Sequence, residues 1–173
     1  GRVHEAIEKF SVIKTLEAID QANVTLLMID AHDGASEQDA TLAGYVLEHG
    51  RAIVLAINKW DLLDRAAREW MKRELTRKLS FLDFAPVHYI SAKDGTGLGT
   101  LFGSVDQAFA SANRDLPTPR LNRLLQQATA ATPPPVVRGR RVRLKFAHQG
   151  GKNPPVVVVH GNQTRSLPDS YRR

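Results

Sequence analysis

Short apolar runs alternate with helical patterns over the first two thirds of the chain, and this alternation constrains the fold more than any other feature. The runs at 24–29, 52–57 and 87–90 have the length and composition of strands that are buried on both faces. Amphipathic patterns between and around them predict helices at 5–20, 36–49, 64–79 and 98–112. Strands that are joined by helical crossovers run parallel. The sequence therefore predicts an α/β domain whose ligand lies at the carboxyl ends of the strands.

Two of the helical patterns carry further local signals. In the first, apolar side chains recur every three residues and form one stripe, at Ile7, Phe10, Ile13, Leu16 and Ile19. In the second, Ser36 is a good N-cap, and Asp39 follows three residues later, in the position of a capping-box acid.

The chain divides into two parts of opposite charge. Residues 1–113 carry 12 Lys and Arg against 16 Asp and Glu, a net charge of −4, whereas residues 114–173 carry 12 against 2, a net charge of +10. Residues 114–119 are polar and contain two prolines, which disfavour a continuing helix. We therefore predict a first domain at 1–113, a linker at 114–119 and a second domain at 120–173. The basic character of the second domain favours a polyanionic partner.

Composition excludes several classes of protein. Without cysteine, the chain cannot form a disulfide framework or a Cys-ligated metal site. No apolar run reaches the ~18 residues that cross a bilayer, and no segment has the pattern of a signal peptide. The six histidines have no ligand spacing, so no metal site is predicted. We expect a cytoplasmic monomer with no membrane partner.

Two motifs follow predicted strands. Asn-Lys-Trp-Asp at 58–61 follows the second strand, and Ser-Ala-Lys at 91–93 follows the third, and both match signatures of guanine-nucleotide-binding domains. The Asp61 carboxylate offers only acceptors, which suit the N1–H and N2 amino donors of guanine in two hydrogen bonds of about 1.5–3 kcal/mol each. Adenine presents a lone pair at N1 and lacks the amino group, so the same carboxylate disfavours it.

Neighbouring residues have complementary predicted roles. We expect Lys59 and Lys93 to lay their alkyl stems on opposite faces of the base while their ammonium groups stay hydrated. We expect Asn58 to hydrogen-bond the base edge and to tie the two loops together, and the Ala92 N–H to donate to guanine O6. The candidate guanine-contact residues are Asn58, Lys59, Trp60, Asp61, Ser91, Ala92 and Lys93.

Simpler roles are open for several of these residues. In the alternative hypothesis, Asp61 caps the helix that follows and Lys59 is only solvated. Trp60 occupies the variable position of its motif, where packing is the favoured role, and Ser91 is expected to brace its turn. Asp30 and Asp33 follow the first strand, where turn formation is favoured over catalysis.

The two motifs, together with Gly-Arg-Val-His-Glu-Ala at 1–6, Val-Arg-Gly-Arg-Arg-Val at 137–142 and His-Gly-Asn-Gln at 160–163, resemble the bacterial Der (EngA) family. That family has two tandem P-loop GTPase domains followed by a KH-like domain. The resemblance implies that the chain covers the rear of the second GTPase domain and most of the KH-like domain. It also implies GTP or GDP as ligand, Mg²⁺ in the complete protein only, and a role in assembling the large ribosomal subunit. The implied partners are that subunit with its rRNA and the first GTPase domain of the same protein.

Motifs for the phosphates are missing from the printed sequence. It contains neither Gly-Lys-Ser nor Gly-Lys-Thr, with which a phosphate loop ends. The run 94–97 fits Asp-x-x-Gly, but it directly follows Ser-Ala-Lys and is interpreted as a turn into the next helix. We assign no catalytic residue, and we expect that this chain neither hydrolyses GTP nor binds it tightly.

The basic domain has a helix and two strands in its pattern. We predict a helix at 118–131 with Thr118 as N-cap, a strand at 140–146, a strand at 156–160 and a helix start at 167, which agrees with a small α+β KH-like fold. In the first strand, Val142, Leu144 and Phe146 are expected on the inner face, and Arg141, Arg143 and Lys145 on the outer face.

The cations of this strand admit two interpretations, a solvated surface or contact with rRNA phosphates. The candidate RNA-contact residues are Arg138, Arg140, Arg141, Arg143 and Lys145. No Gly-x-x-Gly occurs in the sequence, which argues against RNA binding in the usual KH groove. The rival hypothesis for the whole chain is an RNA-binding or docking module whose α/β part is only a scaffold.

Overall fold

A computed structural model of the chain describes residues 2–137 and 139–172, with side chains described at 11–137 and 139–171. The chain forms two compact units, of which the first ends at Ala112 and the second begins at Asn113. The elements of the first unit are α1 (Arg2–Gln21), β1 (Val24–Asp30), α2 (Glu37–Glu48), β2 (Ala52–Asn58), α3 (Arg65–Lys78), β3 (Val87–Tyr89) and α4 (Leu98–Ala112). The elements of the second unit are α5 (Thr118–Ala131), β4 (Val136–Val137), β5 (Arg140–Arg141), β6 (Arg143–Gly151), β7 (Val156–Asn162) and α6 (Asp169–Arg172).

The sheet of the first unit is parallel, in the order β1-β2-β3. Val24 pairs with Ala52 and Asp30 with Asn58, while Ile57 of β2 pairs with Tyr89 of β3. The predicted α/β class with parallel strands is confirmed. Because all three strands run in the same direction, their carboxyl ends lie along one edge of the sheet.

Strand β2 is the centre of the core. Ile53, Leu55 and Ile57 pack on one face with residues of α2 and α3, whereas Val54 and Ala56 pack on the other face against α4. Each of these five side chains is at most 3% exposed. The capping box predicted at the start of α2 is confirmed, since Ser36 and Asp39 make both of its hydrogen bonds. The packing of helices on both faces of β2 fixes this strand, and with it the sheet edge from which the two motifs emerge.

Burial of β1 differs from the prediction. Leu26 and Met28 are 38% and 50% exposed, so this strand is not buried on both faces. They pair with Val54 and Ala56, which α4 covers, but β1 is an edge strand of the sheet and the cover does not reach them.

Among the described side chains of the predicted α1 stripe, burial increases toward the end of the helix. Ile19 is buried and Leu16 is half-buried, whereas Ile13 is 53% exposed. The side chains of Ile7 and Phe10 lie outside the described residues. Among the described side chains of α1, the contact with the core is through Ile19 in its last turn.

Helix α5 begins without the predicted Thr118 cap. Pro117 is the N-cap residue, its carbonyl accepts from the Arg120 and Leu121 N–H groups, and the side chain of Thr118 makes no cap bond. The helix packs on β6 through Asn122, which accepts from the Ala147 N–H at 2.9 Å and donates to the Ala147 carbonyl at 3.1 Å.

The predicted strand at 140–146 is divided in the structure. Arg140 and Arg141 form β5, which pairs with β4, and β6 begins only at Arg143 and pairs antiparallel with β7. A register shift between Leu144 and Phe146 reverses the alternation, so Ala147 is buried and Phe146 is 45% exposed. The inner-face prediction for Phe146 was wrong because a bulge inserts one extra residue and changes the face of the side chains after it.

Within the described ranges, no helix combines the length and the apolar character that a bilayer crossing requires.

Candidate functional site

The two motifs emerge side by side from the carboxyl edge of the sheet. Strand β2 ends at Asn58, and β3 is followed by Ile90 and Ser91. The Ile90 N–H donates to the Ile57 carbonyl at 2.9 Å, which extends the pairing of the two strands to the start of the second motif. Parallel pairing therefore brings residues more than thirty positions apart in the sequence to one place.

Two hydrogen bonds tie the motif loops to each other. The Ala92 N–H donates to Asn58 Oδ1 at 2.9 Å, and the Trp60 N–H donates to the Ile90 carbonyl at 3.0 Å. The first bond leaves the Asn58 amino group as the donor that is available for a ligand. It also means that the Ala92 N–H reaches a base carbonyl only by sharing this bond or after the Asn58 amide rotates.

Asp61 is exposed at the rim of the edge. It lies in the short 3₁₀ turn Trp60–Leu62, which follows a left-handed residue, Lys59, with φ of 62°. Among the residues that the structure describes, no group forms a hydrogen bond or an ion pair with the Asp61 carboxylate. Both of its oxygens are therefore open to an external donor pair.

The helix after this turn has its own cap, and that cap is a different aspartate. Asp64 is the N-cap of α3, and its side chain accepts from the Ala67 N–H at 2.8 Å. The alternative in which Asp61 caps the helix is therefore wrong. A helix needs only one N-cap side chain, and Asp64 occupies that position.

Lys59 is held by an aspartate from the neighbouring strand. Its ammonium lies 2.5 Å from Asp30 Oδ2, and Asp30 Oδ1 accepts from the His32 N–H at 2.9 Å. The hydrogen bond from Lys59 lowers the pKa of Asp30, with a smaller contribution from the His32 N–H, and the same ion pair raises the pKa of Lys59. The Lys59 side chain is still 53% exposed, so its stem is accessible while its charge is anchored.

The role of Asp30 as the partner of Lys59 was not predicted from the sequence. Only a turn was expected there, and the turn is present in the bond to His32. The feature that could have indicated this pair is the position of Asp30 at the end of β1, because it pairs in register with Asn58, the residue before Lys59. Register cannot be assigned from one sequence, so the pair became visible only in the structure.

Ser91 braces the second loop from inside. It is 3% exposed, its hydroxyl donates to Asp94 Oδ2 at 3.1 Å, and its N–H donates to the Thr96 carbonyl at 3.1 Å. Gly97 has φ of +80°, and a Cβ there would lie 2.8 Å from the Tyr89 carbonyl oxygen. The run 94–97 is thus a tight turn before α4, as predicted. Lys93 projects from this loop as an exposed side chain.

Trp60 has a packing environment. Its ring lies 4.2 Å from that of Tyr89, and the Arg68 guanidinium lies 5.6 Å above its centroid. Arg68 Nη2 also donates to the Trp60 carbonyl at 3.2 Å. These contacts fix the first motif against α3 and β3, and they place Trp60 in support of the loop.

Four of the five candidate RNA-contact residues lie within the described part of the chain. Arg140 and Arg141 on β5 and Arg143 and Lys145 on β6 are all exposed. No ion pair involving these four is found among the described residues. Arg138 lies outside the described residues.

A magnesium site does not fit the residues that the structure describes. Among those that the structure describes, no group of three His, Cys, Asp or Glu side chains could hold a metal ion. Asp94, the acid of the only Asp-x-x-Gly run, is bonded to Ser91. We therefore derive no step through Mg²⁺.

Comparison with protein families gives two matches that divide the chain in the same way as its compact units. The family described as "Elongation factor Tu GTP binding domain" matches residues 9–111. The family described as "KH-domain-like of EngA bacterial GTPase enzymes, C-terminal" matches residues 116–173.

Curated relatives match the chain over its whole length. GTPase Der of Shewanella amazonensis is 59% identical and GTPase Der of Vibrio vulnificus is 57% identical, each over 100% of this chain. The chain spans 36% and 35% of the lengths of these two relatives.

Solved structures at low identity share the fold of the first unit. Translation elongation factor SelB from Methanococcus maripaludis, in complex with the GTP analogue GPPNHP, is 20% identical with a TM-score of 0.52, covering 60% of this chain and 23% of that one. The bacterial selenocysteine-specific elongation factor EF-Sec is 21% identical with a TM-score of 0.51, covering 57% of this chain and 17% of that one. From these matches, the chain belongs to the GTP-binding domain family, and its two units are a GTPase-type domain and a KH-like domain of the Der (EngA) family.

Proposed function

We propose that this chain supplies guanine recognition to a GTPase that acts in assembly of the large ribosomal subunit. The observation that carries the first part is the state of Asp61, an exposed carboxylate that has no partner among the described residues and no capping role. A carboxylate left open at the ligand edge of a parallel sheet is suited to a fork of two donors, which guanine has and adenine lacks.

The surrounding residues support the same ligand. Asn58 is oriented by the Ala92 N–H so that its amino group can donate to an acceptor on the base edge, such as N7. Asp30 anchors the Lys59 ammonium, which leaves the alkyl stem of Lys59 for one face of the base. Lys93 is placed on the second loop and supplies the cover for the other face. Ser91 and Trp60 hold the two loops in place.

In this proposal, residues of the complete protein that are not part of this chain bind the phosphates. Contacts to the base and contacts to the phosphates both contribute to the affinity for a nucleotide. The printed sequence lacks the loop that holds the phosphates. We therefore assign hydrolysis and Mg²⁺ to the complete protein. The chain alone is expected to bind GDP weakly, above the micromolar range, and to release no phosphate from GTP.

The ribosomal part of the proposal is supported by the charge of the second unit and by the family. Residues 114–173 carry a net charge of +10, and an exposed cationic strand face is suited to rRNA phosphates. The proposed partners of the complete protein are the large subunit, its rRNA and the first GTPase domain. We propose that the complete protein is a cytoplasmic monomer. The same charge favours the second candidate function, an RNA-docking module that does not need the guanine site.

NMR titration of the chain with GDP and ADP tests the guanine site. We expect GDP at millimolar concentration to shift the backbone signals of Asp61 and Ala92, and ADP to leave them in place, because only guanine matches the carboxylate. Equal shifts with both nucleotides would refute base selection here. If neither nucleotide moves these signals, the docking module becomes the better account.

A further inference from the structure

Three aromatic rings form a cluster on the two-stranded sheet of the second unit. Phe146 pairs in register with His160, their ring centroids lie 4.3 Å apart and their planes differ by 5°. His148 lies 5.0 Å from His160 with an interplanar angle of 21°. We call these three residues the ring stack. Their rings are nearly parallel, so a further planar group can continue the same packing.

The bulge in β6 creates the ring stack. Regular alternation from the buried Val142 would have turned Phe146 inward, but the register shift between Leu144 and Phe146 makes Ala147 the buried residue. Phe146 and His148 then lie on the face opposite Ala147, which bonds to α5. As a result, Phe146 is 45% exposed on a face that α5 does not cover.

Two cationic side chains lie on the same strand as Phe146 and His148. Arg143 and Lys145 are exposed on β6, three residues and one residue before Phe146, in a unit with 12 Lys and Arg against 2 Asp and Glu. Aromatic rings next to cationic side chains suit a nucleic acid strand, in which planar bases alternate with anionic phosphates. Paired bases stack on each other inside a duplex, so only an unpaired strand can offer a base to the rings.

We propose that the ring stack is a stacking platform for an unpaired base of RNA. The inference extends the proposed rRNA contact of the second unit, because the cations alone bind phosphates whether or not the bases are paired. The platform gives the unit a preference for single strands. It is also distinct from a groove with a Gly-x-x-Gly loop, which this sequence lacks.

Fluorescence anisotropy with the full 173-residue chain tests the platform. The probes are a labelled oligouridine RNA of about 12 nucleotides and an RNA duplex of about the same length. In Phe146→Leu, an apolar side chain remains but the ring is lost, and we expect about tenfold weaker binding of the unpaired strand. Duplex affinity and the slope of log affinity against log salt should stay at the parent values, since no phosphate contact has changed.

Two further variants provide the controls. Phe102→Leu removes an exposed ring from α4 in the other unit and should change neither affinity. His160→Tyr keeps a ring in the stack and should bind the unpaired strand nearly as the parent does. Circular dichroism and the thermal midpoint confirm that each variant is folded.

Three other outcomes would overturn the platform or the rRNA contact on which it depends. If Phe146→Leu binds the unpaired strand as the parent does, or weakens strand and duplex equally, the platform is refuted while rRNA contact stands. If the parent binds neither RNA, the rRNA contact itself fails. If the parent is a dimer that Phe146→Leu dissociates, the ring stack is a protein contact and the platform is refuted.

Discussion

Two aspartates three positions apart have different roles at the proposed guanine site. Asp64 caps α3, and Asp61 keeps a carboxylate that is open to solvent at the end of β2. From the sequence alone only Asp61 was considered for the cap, because Asp64 was placed inside the predicted helix at 64–79. The structure separates them through the 3₁₀ turn at Trp60–Leu62, which the left-handed Lys59 initiates.

The pair of Asp30 and Lys59 gives a pH dependence at the residue scale. Asn at position 30 still accepts from the His32 N–H but has no charge for Lys59. Since the folded pKa of Asp30 lies below its ordinary value, its contribution to stability is complete above about pH 4 and is lost as the pH falls through the folded pKa. We expect Asp30→Asn to unfold at slightly lower urea than the parent at pH 7, and the difference between the two midpoints to shrink steadily as the pH falls below about 4.

The control for this pair is Asp33→Asn. Asp33 is on the same turn, and its side chain is 76% exposed, so its removal should leave the midpoint unchanged over the same pH range. A difference between parent and Asp30→Asn that persists undiminished on acidification would show that the ion pair is not its source.

At the scale of elements, the order of helices and parallel strands could be predicted from periodicity, and so could the capping box of α2. Burial could not be predicted, because it depends on which element covers each face. Leu26 and Met28 look like core residues, but α4 packs near Val24 at the start of β1 and leaves these two side chains exposed. Likewise, alternation gives no sign of the bulge that turns Phe146 outward.

Stability measurements on two alanine variants test the assignment of the helix cap. Asp64→Ala should lower the free energy of unfolding by about 1 kcal/mol, the usual cost of a lost N-cap. Asp61→Ala, an exposed residue with no partner among those described, should stay within about 0.5 kcal/mol of the parent. Urea unfolding followed by circular dichroism gives both values. Equal losses in the two variants would return the capping role to Asp61.

At the scale of the whole molecule, charge divides the chain as sharply as contacts do, with −4 in residues 1–113 and +10 in residues 114–173. This asymmetry was readable directly from the sequence, and the structure adds that Arg140, Arg141, Arg143 and Lys145 are exposed. The two halves of the proposed function therefore belong to different units and can be lost separately.

Charge reversal tests the RNA half. The double variant Arg141→Glu, Arg143→Glu should weaken binding to large-subunit rRNA and reduce the slope of log affinity against log salt by about 2, since each lost phosphate contact contributes about 0.9. Gel shifts at rising salt provide the measurement. The matched control is Arg65→Glu, Arg73→Glu on α3, which makes the same change of charge in the first unit and should leave the slope near that of the parent. Identical slopes in both double variants would show that Arg141 and Arg143 are not part of the contact.

The most direct test of guanine recognition is a change of base preference in Asp61→Asn. An amide presents one acceptor and one donor, which match the N1–H and the C2 carbonyl of xanthine but oppose the amino group of guanine. In NMR titrations of the folded chain, we expect the parent to respond to GDP and not to xanthosine diphosphate, and Asp61→Asn to show the reverse. A variant that keeps the parent's preference for GDP would contradict the assignment of Asp61 as the residue that selects the base.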